Sequence, residues 1–482
     1  MRILLSLIIA IFCCGLSFGQ SAQKDSCANL LIIFPDQMRG SAMGFRGEEP
    51  VQTPNLDQLA KDGIVLTNAV SNFPICSPAR ASLMSGKYPQ SHGLIQNCNS
   101  YSGKLGYEFS VEEECWSDVL NKAGYELGYI GKWHLDNPHE PYLDFYNNKG
   151  FKKWNEWTPP EKRHGFNYWY AYGTYDKHLN PVYWSTDAKR DEYNFVDQWG
   201  PEHEADKAIA YIKNRKSERD PNKPFVLMVA MNPPHGDYSQ VPDKYKQIYE
   251  DVSIEELTKR PNIPSKGTKF GDYYRKHIKD YYAQISGVDE QVGRILHALE
   301  EAGENENTIV LFISDHGDCL GIHDVSSKDY HYEESMVIPF IIKWPGKLKS
   351  RYDDILLSMP DIHPTLLGLM GFEKNIGKDV EGKNYANYLL TGKGKKPTSQ
   401  LYLYTYYGEP DMGRRGIRTD RYTLMISKRH SEPDIFELFD NKNDPFQLMN
   451  IYDRNPILTA TLTAQLKNLL METNDPWIKH LN

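Results

Sequence analysis

Apolar and polar positions follow two regimes along this chain. Short unbroken apolar runs at 30–34, 127–130, 225–230 and 309–313 predict buried strands, while 55–63, 202–214 and 280–302 carry helical periodicity, the last closed by Gly303. Strands separated by helices as far as about residue 372 predict an α/β fold with a large, mostly parallel sheet covered on both faces. Near Pro397 the texture changes. Runs at 401–407, 416–426 and 435–439, followed by a helical stretch at 456–471, predict a smaller C-terminal α+β subdomain over 397–482, built on an antiparallel sheet.

Residues 133–199 break the pattern. They hold six of the nine tryptophans, together with many tyrosines, prolines and asparagines, and show little periodicity. Such a long irregular insertion in a folded domain is usually functional, and this one is expected to face substrate.

The predicted strands share a second feature. Asp36 and Gln37 follow the first, Lys132 and His134 the second, His235 the third, and Asp315 and His316 the fourth. Open parallel sheets bind ligands beyond the carboxyl ends of their strands, so these groups are expected in one pocket. Asp36, Gln37 and Asp315 offer oxygen ligands to a hard divalent cation, and His316 adds a nitrogen. Calcium is the first choice. Magnesium, manganese and zinc stay open because histidine is an unusual calcium ligand.

Composition narrows the setting. Lys+Arg 55 against Asp+Glu 64 gives a net charge of −9 with no run of five or six like charges, which argues against general nucleic-acid or anionic-membrane binding. Residues 1–19 read as an export signal, with Arg2, an apolar stretch at 4–16, and Ser17 and Gly19 near the cleavage point. The stretch is shorter than the about 20 residues of a membrane span, so the expectation is a periplasmic or secreted protein with no integral membrane segment after signal removal. Cys13 and Cys14 lie in that signal. The remaining Cys27, Cys76, Cys98, Cys115 and Cys319 are too few for a disulfide scaffold, and their odd number leaves at least one thiol unpaired or chemically used.

Pro78, followed by helix formers, places Cys76 at a helix start, where the dipole and free N–H groups favour an anion; Arg80 sits one turn further in. From local physics alone a buried structural cysteine beside an ordinary helix start is the favoured reading. Cys76-Ser77-Pro78-Ala79-Arg80, however, resembles the C-x-P-x-R modification signature of the type I sulfatases, in the alkaline-phosphatase-like superfamily. Leu83-Met-Ser-Gly-Lys-Tyr-Pro-Gln-Ser-His-Gly93 resembles the segment that follows it. Asp36-Gln37, Gly131-Lys132-Trp133-His134, Pro233-Pro234-His235, Asp315-His316-Gly317 and Lys328 ahead of Tyr332-Glu-Glu-Ser335 are similar to family segments in the family's order. The resemblance runs from Asn29 to about Asn450 and implies a catalytic domain over 28–396.

It also implies a chemistry. A formylglycine-generating maturation enzyme would oxidise Cys76 to Cα-formylglycine, whose hydrated aldehyde attacks sulfur as the substrate alcohol leaves. Asp36, Gln37, modified Cys76, Asp315 and His316 would hold the metal, and Arg80, Lys132 and Lys328 would surround the sulfuryl oxygens. His235 would protonate the leaving alcohol, and His134 would help to regenerate the aldehyde. Gln37 stands where a second Asp is frequent and His316 where Asn is frequent, so altered metal affinity or selectivity is expected.

Export, the aromatic insertion and a sulfatase core together point to a sulfated carbohydrate. The expected substrate is a hexose or N-acetylhexosamine sulfate, galactose-type among the candidates, cleaved by an exo-acting or short-oligosaccharide sulfatase. Asp176, His178 and Trp199 are the candidate sugar contacts. Two other readings stand beside this one. A phosphonate monoester or phosphodiester hydrolase of the same superfamily would turn over those esters faster than any sulfate. An exported sulfoglycan-binding protein would keep Cys76 unmodified.

Overall fold

A computed structural model describes residues 27–430 and 432–481; the expected export signal lies outside the described residues. Ten strands form the main sheet: β1 (Asn29–Ile33), β2 (Ile64–Leu66), β3 (Glu126–Lys132), β4 (Tyr168–Tyr172), β5 (Val182–Ser185), β6 (Asn194–Phe195), β7 (Phe225–Ala230), β8 (Thr308–Ile313), β9 (Phe340–Lys343) and β10 (Arg351–Asp353). Their order is β10-β2-β9-β8-β1-β7-β3-β4-β5-β6. The centre, from β8 through β1, β7 and β3 to β4, is wholly parallel, and antiparallel pairs enter only on the flanks through β9, β5 and β6.

Coverage on both faces explains the unbroken apolar runs. Leu30 and Ile32 of β1 point into one apolar layer, Leu31 and Ile33 into the other, and all four are fully buried. The helix Lys269–Glu301 closes one face, and the helices Cys76–Ser85 and Met359–Leu369 close the other. Among the described residues no helix is long and apolar enough to cross a membrane.

The second sheet, β11 (Ser399–Tyr406), β12 (Glu409–Thr419), β13 (Tyr422–Lys428) and β14 (Ile435–Asp440), is antiparallel throughout. Leu401, Leu403, Ile417 and Leu424 pack on Leu462, Leu466 and Leu470 of the helix Pro456–Glu472. Phe73 and Ile75, just ahead of Cys76, belong to the same apolar cluster.

Three expectations are corrected. The long helix begins at Lys269 rather than 280, because the Thr268 side chain caps it by accepting from the Gly271 amide. The run 416–426 is two strands. The Thr419 hydroxyl accepts from the Arg421 and Tyr422 amides, 3.3 and 2.8 Å away, and turns the chain at Asp420-Arg421. The insertion, finally, is not wholly irregular, since β4, β5 and β6 extend the main sheet. Of its six tryptophans Trp133, Trp169, Trp184 and Trp199 are buried, and Trp154 lines a cleft.

One glycine fixes how closely β3 approaches β7. Gly131 has φ 98°, and a Cβ there would lie 2.2 Å from the Ala230 carbonyl oxygen. Gly131→Ala should therefore cost about 1–3 kcal/mol of stability, read as a lower urea midpoint. An unchanged midpoint would contradict the close approach.

Candidate active site

The strand ends deliver their polar groups to one place. Asp36 and Gln37 follow β1, Lys132 ends β3, Asn232 and His235 follow β7, and Asp315 and His316 follow β8. All except the half-buried His235 are buried.

Cys76 is the first residue of the helix Cys76–Ser85. Its Sγ lies 3.2 Å from Lys328 Nζ, 3.8 Å from Lys132 Nζ, 3.4 Å from His316 Nε2 and 3.7 Å from Asp36 Oδ1. Burial and Asp36 push the thiol pKa up, but Lys132, Lys328 and His316 outweigh them and hold it well below the usual thiol range. The atom at this position is thus surrounded by groups that favour negative charge on it.

Beneath it lies a buried ion network. Arg80 Nη2 is 2.9 Å from Asp36 Oδ2 and 3.1 Å from Asp315 Oδ2, and Nη1 donates to the Lys132 carbonyl at 2.8 Å. Lys132 Nζ is 2.8 Å from Asp36 Oδ2 and donates to Asn232 Oδ1 at 3.0 Å. Burial would raise Asp36, yet Lys132, His235, Arg80 and Lys328 hold its carboxyl well below the ordinary range. Burial and the Asp36 charge push Asp315 the other way, up to about 6. Two carboxylates closed into one site repel each other, and a divalent cation relieves that repulsion.

The imidazole of His316 supports a cation in the same place. Its Nδ1 lies 2.9 Å from the Gly317 carbonyl oxygen and donates there, which turns Nε2 inward. That nitrogen is 3.6 Å from Asp36 Oδ1 and 3.6 Å from Asp315 Oδ1. The ligand atoms of Asp36, Cys76, Asp315 and His316 lie within 4.8 Å of one another. Two carboxylates and an imidazole form a fitting donor set for a divalent ion. Gln37 stands beside them with φ 64°; its Oε1 accepts from Lys328 Nζ at 2.7 Å, and its Nε2 donates to Asp318 Oδ2 at 2.8 Å.

The two histidines differ in proton state. His134 Nε2 lies 3.1 Å from the Cys98 carbonyl oxygen, which assigns the proton to Nε2, and its buried Nδ1 has no hydrogen-bond partner among the described residues. Burial lowers its pKa, so it is a neutral base with a free lone pair. His235 Nδ1 lies 3.1 Å from Asp176 Oδ1. Burial, Lys132 and Lys328 press its pKa down, but Asp176 and Asp36 overcome them and leave it raised. A histidine with a raised pKa and one with a lowered pKa therefore face one cleft of about 560 Å³, lined also by Lys328, Asp176, Asn97 and Trp154.

Two expected sugar contacts are elsewhere. His178 is buried, its Nε2 lies 2.8 Å from the His235 carbonyl oxygen, and burial lowers its pKa to about 4. It supports the His235 backbone. Trp199 is buried against Tyr245 and Gly287, and its indole N–H donates to the Gln240 carbonyl. Trp199 belongs to the apolar layer of the main sheet, while Phe145, Tyr172, Tyr175, Tyr183 and Trp184 form a separate cluster within the insertion. Arg80 likewise contacts the two aspartates, whereas Lys132 and Lys328 reach the Cys76 sulfur.

The sulfatase family model matches residues 28–372, and the model described as N-sulphoglucosamine sulphohydrolase, C-terminal, matches 321–475. The chain belongs to the sulfatase family. It is a sulfuric ester hydrolase. An endo-4-O-sulfatase of Bacteroides thetaiotaomicron is 39% identical over 490 residues, covering 95% of this chain and 94% of that one. An ulvan-active sulfatase of Formosa agariphila is 33% identical, covering 93% and 82%. A solved Bacteroides fragilis chain assigned as the sulfatase YidJ superposes with a TM-score of 0.92 at 50% identity, over 97% of this chain and all of that one.

Several groups of this sulfatase site escaped sequence reasoning. Asn232, which receives Lys132 and donates to Asp176 at 3.1 Å, follows β7 directly and was legible by the same strand-end logic. Trp154, beside His134 at a ring separation of 6.4 Å, carried no signal beyond its residue type.

The donor set generates a test independent of turnover. Purified, unmodified protein should melt at higher temperature in the presence of a divalent ion, because an ion bound only by the folded state stabilises it. Asp36→Asn or Asp315→Asn should remove the shift. A wild-type melting temperature indifferent to calcium, magnesium, manganese and zinc would refute the metal assignment.

Proposed function

We propose that this chain hydrolyses sulfate esters on exported or environmental carbohydrates, acting outside the cytoplasm after maturation of Cys76. One observation carries the reading: Cys76 stands between two lysines and a metal-type donor set, with a base and an acid histidine opening on the same cleft. The endo-4-O- and ulvan-active relatives support a sulfate presented on an oligosaccharide.

The Cα-formylglycine made from Cys76 would supply the nucleophile. A divalent ion, calcium by first choice, held by Asp36, Gln37, Asp315 and His316 would supply Lewis-acid charge beside it. Lys328 and Lys132 hold the sulfuryl oxygens and offset charge as it develops. Arg80 keeps the two carboxylates in place from below. His235, oriented through Nδ1 by Asp176, donates from Nε2 to the leaving alcohol. His134, its Nε2 tied to the Cys98 carbonyl, accepts a proton at Nδ1.

Peptide mass spectrometry of protein from its native host should find Cys76 as the aldehyde, and Cys76→Ala should abolish sulfate release. An unmodified thiol there, together with tight sulfoglycan binding, would favour the non-catalytic reading instead.

His235→Ala should slow alkyl sulfates by about 10²–10⁴-fold and aryl sulfates much less, since good leaving groups need no acid. Equal losses on both would refute the acid role. His235 works protonated, so kcat/KM should be full below its raised pKa and fall as pH rises through it. Asp176→Asn, by removing the charge that raises it, should move this alkaline limb to lower pH. A limb that stays in place would separate Asp176 from His235.

A further inference from the structure

The outer end of the cleft holds a cation that the proposed chemistry does not use. Lys152 Nζ lies 3.9 Å from the centre of the Tyr407 ring and 5.8 Å from those of Tyr101 and Trp154. Trp154 is the ring beside His134, so this ammonium stands one aromatic ring beyond the catalytic histidine. Tyr101 packs against Phe151 as well, at a ring separation of 5.9 Å, and Phe151 is 83% exposed at the mouth. Phe151, Lys152 and Trp154 line the same cleft as His134, His235 and Lys328.

No salt bridge joins Lys152 to a carboxylate among the described residues. Lys162, in the same insertion, pairs with Glu108 and Asp136. Burial alone acts on Lys152 and lowers its pKa, and no carboxylate among the described residues offsets it. Aromatic faces hold the ammonium without neutralising it, since each such contact is worth only about 0.5–1 kcal/mol at partly exposed positions. Its charge is left for a ligand. A protein of net charge −9 repels polyanions at long range, so an extended acidic glycan needs local cations at more than one point.

We propose that Lys152, with Tyr101, Phe151, Trp154 and Tyr407, forms a second anion-reading subsite that binds the carboxylate or second sulfate of the sugar adjacent to the ester being cleaved. The proposal rests on the carbohydrate-sulfatase reading and narrows it to acidic oligosaccharides. The aromatic rings take the apolar C–H face of that neighbouring sugar, and the ammonium takes its anion. Tyr407 directly follows the first strand of the C-terminal sheet, so the subsite joins the insertion loop to that sheet.

The test compares sulfated disaccharides whose neighbouring sugar carries a carboxylate, the reduced alcohol in its place, or a second sulfate. Wild-type enzyme should prefer the charged forms over the carboxyl-reduced form, by about tenfold or more in kcat/KM, as for hydrogen bonds to charged groups. Lys152→Met keeps the apolar stem over the rings and should collapse that preference towards unity, mainly through KM, as expected for binding remote from the reacting bond. Lys152→Arg should restore it. A preference confined to the carboxylate form assigns a uronate-type neighbour; one confined to the disulfated form assigns a second ester. A Lys152→Met enzyme of unchanged melting temperature that keeps the wild-type preference would overturn the subsite. Wild-type enzyme with Cys76 in its aldehyde form that releases sulfate from no sulfated sugar would overturn the carbohydrate reading, and this inference with it.

Discussion

The buried ion network of Arg80, Asp36, Asp315 and Lys132 is the constraint on which the rest of the site depends. It joins the ends of β1, β3 and β8 to the helix that begins at Cys76, and each member is fully or almost fully buried. Removing one partner would leave an uncompensated charge in a closed interior, a loss of about 3–5 kcal/mol. The Arg80 guanidinium also lies 4.9 Å from the centre of the Phe34 ring, in the segment that carries β1 towards Asp36. Cys76 is positioned because Arg80, one helical turn away, has only one electrostatically tolerable place.

The two departures from the commoner family pattern have local reasons. At Gln37 an amide accepts from Lys328 at one end and donates to the Asp318 carboxylate at the other. An aspartate cannot donate to Asp318, so the glutamine fits an acidic neighbour that a carboxylate would oppose. At His316 the hydrogen bond from Nδ1 to the Gly317 carbonyl fixes the ring's orientation and aims Nε2 at the donor cluster. Both residues therefore reshape the site while the donor atoms of Asp36, Asp315 and His316 stay together.

The central strands were legible because coverage on both faces leaves no polar alternation to confuse an apolar run. Asp36, Lys132, His134, His235, Asp315 and His316 were legible as strand-end residues, and Cys76 through its signature. The hairpin at Asp420-Arg421 was hidden because Thr419 makes the turn with a hydroxyl rather than with glycine. In β4, Tyr168-Trp-Tyr-Ala-Tyr172 alternates between burial environments, yet its aromatic residues read as insertion surface. His178 and Trp199 were misread for the same reason: residue type suggests sugar binding, whereas burial decides whether a ring can meet a sugar. Lys152 and Tyr407 meet only through folding, and no local spacing encodes a contact between residues so far apart in the chain.

That contact bears on more than substrate length. The loop entering the Cys76 helix is gripped by the C-terminal sheet: the Leu403 amide donates to the Asn72 carbonyl at 2.7 Å, and Asn72 Nδ2 donates to the Leu401 carbonyl at 2.9 Å. Phe73 and Ile75 are buried in that sheet's apolar cluster, and Gln96, just before the Cys98 carbonyl that orients His134, donates to the Thr405 carbonyl. One strand, β11, thus supports the approach to Cys76 and the segment that holds the His134 ring, and Tyr407 directly after it packs on Lys152 of the cleft lining. Displacing β11 would misplace all three together. The C-terminal sheet is for this reason part of the framework that holds Cys76, His134 and the Lys152 end of the cleft in place.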